Sequence, residues 1–211
     1  MKILLVTATA LEMPKHNNKL IGIDKLVTGV GNIATTYNLQ KKFIANTYDL
    51  VVQIGIAASF TPDIKPGEVC IVKQDTFGDI GTETKGSFST LFESGLMKAN
   101  EKPFKNGWLV NNGSIFKKVK LKKVIAVTVN KVTDNTTQTK QLTQYFSPDI
   151  ESMEGAAFQY VCLMEKIPFL QIRGISNKVG VRDKSKWKIK EALENAHQVL
   201  FDIIDTLKQD S

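Results

Sequence analysis

The sequence predicts an α/β fold in which helices pack against a largely parallel or mixed sheet. Short apolar runs rich in β-branched residues recur along the chain, and amphipathic helical patterns lie between them. No repeat, linker or low-complexity stretch interrupts the alternation, so residues 1–211 are expected to form one domain. At 211 residues and 42% hydrophobic, such a domain can bury a proper core.

The first run, Ile3-Leu4-Leu5-Val6, reads as a buried strand. It is too short for a signal peptide, and Thr7, Thr9, Glu12, Lys15 and His16 follow at once. A glycine turn, Gly29-Val30-Gly31-Asn32, opens a helix over residues 33–45. Further buried strands are expected at residues 50–54, 69–72, 124–129 and 169–175. Asp134-Asn135 is a capping signal for a helix over residues 136–146. A helix over residues 154–165 places Ala157, Tyr160, Val161 and Met164 on one face. The last helix, from about residue 186 to 207, carries the stripe Ile189, Leu193, Ala196, Leu200, Ile203 and Leu207. Residues 74–105 are irregular, with scattered Phe77, Phe88, Phe92 and Phe104, and a loop of that length is usually functional or mobile. Ligands of open α/β sheets bind beyond the carboxyl ends of the strands. Loops are expected there at residues 7–13, 29–32, 55–59, 74–105, 130–133 and 176–183.

Composition excludes several classes. The net charge of +7 comes almost wholly from lysine, densest over Lys117-Lys118-Val119-Lys120-Leu121-Lys122-Lys123. That cluster lacks arginine and aromatics, and Val119 and Leu121 alternate with lysines as in a half-exposed edge strand, so no nucleic-acid partner is expected. No apolar run approaches the roughly 18 residues that would span a bilayer, so no membrane partner is expected either. Cys70 and Cys162 supply neither a disulfide framework nor metal-site spacing and read as small core residues of a cytoplasmic protein. His16 is expected on a loop surface and His197 on the last helix.

Two stretches carry the chemistry: Glu151-Ser152-Met153-Glu154-Gly155-Ala156-Ala157 and, about twenty residues on, Arg173-Gly174-Ile175-Ser176-Asn177. Glu154 falls where a turn becomes a helix, among small residues that let a ligand approach. A carboxylate there can grip two neighbouring hydroxyls, such as those of a ribose. Leu26-Val27-Thr28-Gly29-Val30-Gly31-Asn32-Ile33-Ala34 matches G-x-G-x-x-A, a dinucleotide fingerprint. That fingerprint needs an acid at the end of the next strand, where this chain has Gly55-Ile56-Ala57-Ala58, and Asp49 stands at the wrong end. What remains is a turn whose backbone N–H groups face an anion, a hydroxyl or a water.

Three motifs in order give the chain a family resemblance. They are Gly55-Ile56-Ala57-Ala58-Ser59 followed by Lys65-Pro66-Gly67-Glu68-Val69, then Ser152-Met153-Glu154-Gly155-Ala156-Ala157, then Arg173-Gly174-Ile175-Ser176-Asn177. Through them the chain resembles the nucleoside phosphorylase and nucleosidase superfamily over nearly its whole length. Thr7-Ala8-Thr9 leading to Glu12, Phe77-Gly78-Asp79-Ile80-Gly81, the ending from Ser176 to Asp183, and Trp187 make it similar to the futalosine hydrolases within that superfamily. The resemblance implies a three-layer αβα sandwich around a central mixed sheet, assembled as a homodimer or higher homo-oligomer. It also implies hydrolysis of futalosine to hypoxanthine and dehypoxanthine futalosine, a menaquinone-pathway reaction, with a small-molecule nucleoside as partner and no metal or organic cofactor.

Residue by residue, the resemblance makes Glu12 the base that activates water; otherwise it is an ordinary helix N-terminal glutamate. Glu154 holds the ribose 2′- and 3′-hydroxyls and offsets charge on the ribosyl group. Met153 packs on the sugar, and Gly31, Ala57 and Ser176 are further expected substrate contacts. Asn177, counted with Glu12 as catalytic, stands where adenine-specific nucleosidases carry aspartate. An amide donates to a 6-oxo group and accepts from a protonated ring nitrogen, so hypoxanthine or guanine is expected rather than adenine. Arg182 reaches the base pocket or the far end of the substrate, or else forms a salt-bridged loop; Lys85 and Phe88 are further candidates for the far end. Phosphorolytic relatives gather arginines round phosphate, whereas this chain has only Arg173 and Arg182, which points to hydrolysis. The alternatives are a methylthioadenosine or adenosylhomocysteine nucleosidase, opposed by Asn177, and a purine nucleoside phosphorylase, opposed by the missing early arginines. A non-catalytic nucleoside-binding module is opposed by the presence of both Glu12 and Glu154.

Overall fold

A computed structural model of the chain describes residues 1–15 and 17–209; His16 lies outside the described residues. In chain order the elements are β1 (Ile3–Thr7), β2 (Asp24–Val27), α1 (Asn32–Ala45), β3 (Leu50–Ser59), β4 (Val69–Asp75), β5 (Gly81–Thr84), β6 (Ser87–Thr90) and β7 (Leu109–Val110). There follow α2 (Ser114–Lys118), β8 (Lys122–Thr128), α3 (Thr136–Phe146), β9 (Ile150–Ser152), α4 (Gly155–Glu165), β10 (Phe169–Lys178) and α5 (Ile189–Gln209). Among the described residues no helix is long and apolar enough to cross a membrane.

The main sheet is mixed and runs β10-β4-β8-β9-β3-β1-β2, with β7 on β4. Because β10 also pairs with β3, the strands β3, β10, β4, β8 and β9 close into a ring from which β1 and β2 extend. The two-residue period of the strands decides what each face meets. Ile3 and Leu5 pack with Ala196, Leu200 and Ile204 of α5, while Leu4 and Val6 pack with Leu39 of α1 and Phe158, Val161 and Cys162 of α4. Covered on both faces, these strands read as continuous apolar runs. The result is the expected three-layer arrangement. Inside the ring, Ala57, Val72, Ala126, Ile150 and Ile175 form one cluster, with a residue from each of the five strands. Both cysteines are buried and unpaired.

Several local expectations are corrected. Residues 55–59 are not a loop: β3 continues through Ser59 because β10 pairs with it as far as Lys178. The lysine cluster is not an edge strand. It begins in the short helix α2 and ends in β8, which lies between β4 and β9, while Val119 and Leu121 pack against the α5 side of the core. The last helix starts at Ile189, after a 3-10 turn at Lys184–Lys186. In α4, Met164 is exposed and Phe158 and Cys162 take the core positions, because both sheet and α1 surround that helix. Residues 74–105 carry order of their own. Beyond β4 they form the β5–β6 hairpin and bring Phe77, Phe92 and Phe104 together with Tyr160 of α4.

Candidate active site

A cavity of about 280 Å³ opens at the carboxyl ends of β1, β3, β9 and β10. Of the residues expected around a substrate, Glu12, Ala57, Met153, Glu154, Ser176 and Asn177 line it. Gly31 reaches it by holding Glu154, and Arg182 lies outside its wall.

Glu12 is buried on the turn after β1, not at a helix N-terminus. Its Oε2 accepts from the Thr9 N–H at 2.9 Å and from Thr9 Oγ1 at 3.1 Å, and Oε1 lies 3.4 Å from the Ile56 N–H. The backbone carbonyl of Glu12 accepts from His197 Nε2 at 2.8 Å, so α5 pins the turn from behind. This link between residues far apart in the chain has no sequence signature.

Arg173 is the largest fully buried side chain. The two-residue period puts Arg173, Gln171 and Gln53 on the same faces of β10 and β3 as Ile175 and Ala57, which point into the ring. Its Nη2 donates to Gln53 Oε1 at 2.6 Å. Its register partner is Gly55, where a Cβ would lie 2.6 Å from Arg173 Nη1 and 2.9 Å from Glu12 Oε1. Only a residue without a side chain leaves room for both the guanidinium and the carboxylate beside this strand. Gly55→Ala is expected to displace both, and a misplacement near 1 Å lowers turnover by about 10²-fold. Steady-state kinetics on a variant of unchanged melting temperature checks this.

Glu154 caps the N-terminus of α4, and its Oε1 accepts from the Gly31 N–H at 2.9 Å. Gly31 has φ 89°, which a side chain would disfavour. The anion faced by the glycine turn is therefore the protein's own carboxylate. Burial raises the pKa of Glu154, while the positive charge of Arg173 and the Gly31 N–H oppose that rise.

The start of α4 is anchored deeper still. Ala156 N–H donates to Thr128 Oγ1 at 2.7 Å, and Thr128 in turn donates to Asp75 Oδ1 at 3.0 Å. Asp75 Oδ2 accepts from Gln171 Nε2, whose Oε1 accepts from Gln159 Nε2. Asp75 is wholly buried, which pushes its pKa up to about 6 against the hydrogen bonds of Gln171 and Thr128.

At the other wall, β10 changes register between Ile175 and Asn177, so Ser176 is an extra, bulged residue. Asn177 Oδ1 lies 2.7 Å from Ser176 Oγ, and its Nδ2 donates to the Lys178 carbonyl at 2.8 Å. One amide proton and one lone pair remain for a ligand. Glu151, absent from the expected site, lines the same cavity, with the Thr133 N–H donating to its Oε1 at 3.0 Å and the Thr133 hydroxyl to its Oε2. Arg182 is exposed, its guanidinium 5.7 Å from the ring of Trp187; the ring lines the cavity and its Nε1 donates to the Val181 carbonyl. Lys85 and Phe88 lie on the β5–β6 hairpin, outside the lining.

This fold, with buried carboxylates round an arginine at the strand ends, defines a class. Residues 26–207 match the family described as the Phosphorylase superfamily, and the chain belongs to it. Within that class it is similar to a futalosine hydrolase of Thermus thermophilus, with 27% identity over 82% of this chain and 76% of the relative. It is also similar to a 5'-methylthioadenosine/S-adenosylhomocysteine nucleosidase of Buchnera aphidicola, 26% identical over 88% of this chain and 72% of the relative. Its fold matches that of a nucleosidase of the same name from S. pneumoniae, solved with a transition-state inhibitor. The TM-score there is 0.79 at 14% identity, covering 98% of this chain and 100% of the other.

Proposed function

We propose that the protein hydrolyses the N-glycosidic bond of a 6-oxopurine nucleoside, with futalosine as substrate and hypoxanthine and dehypoxanthine futalosine as products. Menaquinone biosynthesis is then the setting of the reaction. The observation that carries this is one cavity lined by Glu12, Glu154 and Asn177 together. The relatives named as nucleosidases support glycosidic hydrolysis, and Asn177 favours futalosine over methylthioadenosine.

The roles follow from the geometry. Glu154, held by Gly31 and faced by Arg173, keeps lone pairs for two ribose hydroxyls and lies where positive charge develops on the ribosyl group. Glu12, oriented by two donors from Thr9, takes a proton from water as the oxygen adds to C1′. The base leaves with the electron pair of the C–N bond, and the proton taken by Glu12 balances it on release. Asn177 donates its free amide proton to O6 and accepts at N7 as that nitrogen takes up a proton on departure of the base. Hydrolysis rather than phosphorolysis is supported by where the cations lie. Arg173 is buried against Gln53, Arg182 is outside the cavity, and the Gly31 N–H is occupied by Glu154.

Futalosine, inosine and methylthioadenosine, each with and without phosphate, separate the possibilities by the free base released. Hypoxanthine from futalosine without phosphate is the expected result. Adenine release alone would instead support the methylthioadenosine reading suggested by the Buchnera and S. pneumoniae relatives. Strict phosphate dependence would exclude hydrolysis.

A homodimer through α1 completes the proposal. Ile33, Tyr37 and Ile44 project from that helix at 87%, 64% and 80% exposure, beside Ile80, more apolar surface than a lone helix face normally leaves in water. The face adjoins the Gly31 turn that holds Glu154, so a partner would border the cavity. Ile33→Asp combined with Ile44→Asp is expected to give a monomer by light scattering; an unchanged mass would place the interface elsewhere. The unpaired buried cysteines fit a cytoplasmic location.

A further inference from the structure

A 6-oxopurine differs from a 6-aminopurine at two adjacent atoms. O6 accepts where the amine donates, and N1 carries a proton where adenine has a bare lone pair. Asn177 answers the first difference only.

The sheet supplies an acceptor for the second. Ala58 of β3 is in register with Asn177 of β10 on one side and with Glu151 of β9 on the other. Residues paired across strands project to the same face, so Asn177, Ala58 and Glu151 form a row, and all three line the cavity. A strand spacing of about 4.8 Å sets the outer backbones about 10 Å apart with only a methyl group between them. A flat base fits over that methyl with one polar side chain at either end of its edge. Two hydrogen bonds of about 2.9 Å, laid outward from O6 and N1, take up most of the gap.

Glu151 is built to be an acceptor. It is 3% exposed, and both its oxygens are held by Thr133. Each oxygen keeps a second lone pair. Glu12 and Glu154, the other carboxylates of the cavity, are committed to the water and the sugar. Building on the 6-oxopurine reading above, we infer that Glu151 is the specificity residue that accepts the N1–H of the base, opposite Asn177. An adenine would set its N1 lone pair against the carboxylate, leaving both acceptors buried without a proton between them.

The test needs first only the unaltered protein, titrated calorimetrically with hypoxanthine and 1-methylhypoxanthine, in which a methyl replaces the N1 proton. Methylation is expected to weaken binding at least 100-fold. Equal binding of the two overturns the role of Glu151 while leaving the 6-oxopurine reading intact. Binding of adenine with no binding of hypoxanthine overturns that reading, and this role with it. In Glu151→Gln, hypoxanthine is expected to weaken at least tenfold and the ratio between the two bases to shrink by a similar factor. If Glu151 served only to anchor Thr133, both bases would weaken alike and the ratio would stand, which also overturns the role.

Discussion

Glu12→Gln is expected to lower kcat by about 10²–10⁴-fold while KM changes little, because a positioned base acts in the transition state and not in binding. The substitution is nearly isosteric, and its environment shows why it isolates the chemistry. The amide oxygen can still accept from the N–H and hydroxyl of Thr9, so the turn after β1 keeps its shape, and His197 still holds the backbone carbonyl. What changes is the atom near Gly55 and the Ile56 N–H, which becomes an NH2 group that cannot take a proton from water. Loss of the Glu12 charge removes the repulsion it exerts on Glu154, which keeps its attraction to Arg173 and its hydrogen bond from Gly31. Ribose binding therefore survives or tightens. Single-turnover release of base measures the chemical step, and the dependence of that rate on nucleoside concentration measures binding of the ribose-bearing substrate. A variant with near-full kcat would take the water-activating role away from Glu12.

Much of the frame was legible because burial on both faces writes itself into composition. Ile3-Leu4-Leu5-Val6 is a continuous apolar run, and residues 50–54 are apolar but for Gln53, since alternate side chains meet α5 and the α1–α4 layer. Glu12, Glu154 and Asn177 stood out through their small or glycine-rich neighbours, and the structure gathers them in one cavity. The rest depends on register, which no local pattern carries. Asn177 faces the cavity beside Ala58 only because Ser176 is bulged; an unbroken strand would turn it to the side of Ile175, inside the ring. Glu151 belongs to β9, a three-residue strand too short to show any period. Arg173 was visible as a scarce arginine, but not as a buried cation whose charge acts on Glu154 and Asp75. That role comes from the β3–β10 pairing, which sets it opposite Gly55. Asp75, at the end of a strand that leads into an irregular segment, gave no hint of anchoring α4 through Thr128.

Asn177→Asp is expected to cut the ratio of kcat/KM for 6-oxopurine over 6-aminopurine nucleosides by at least 10²-fold, within the roughly 10⁴–10⁵ that hydrogen-bond direction can command. The carboxylate still accepts from Ser176 Oγ, but it has no proton for O6, and it sets an oxygen where Nδ2 now donates to the Lys178 carbonyl at 2.8 Å. Two acceptors at that distance repel, so the new carboxyl either turns toward the cavity or holds a proton, and in both cases the amide that served O6 is gone. The single change is not expected to produce a full adenine nucleosidase, because Glu151 still opposes the N1 lone pair of adenine from the far end of the row. Adding Glu151→Gln supplies a donor there. With Ala58 between them, the two positions sit about 10 Å apart, share no protein hydrogen-bond partner and read different atoms of the base, so their effects on the substrate ratio should add to within about 0.5 kcal/mol. The ratio measured for wild type, both single variants and the double variant tests this directly. An Asn177→Asp protein with an unchanged ratio would show that the base is read elsewhere, and strong non-additivity would show that the two side chains contact each other rather than opposite ends of a base.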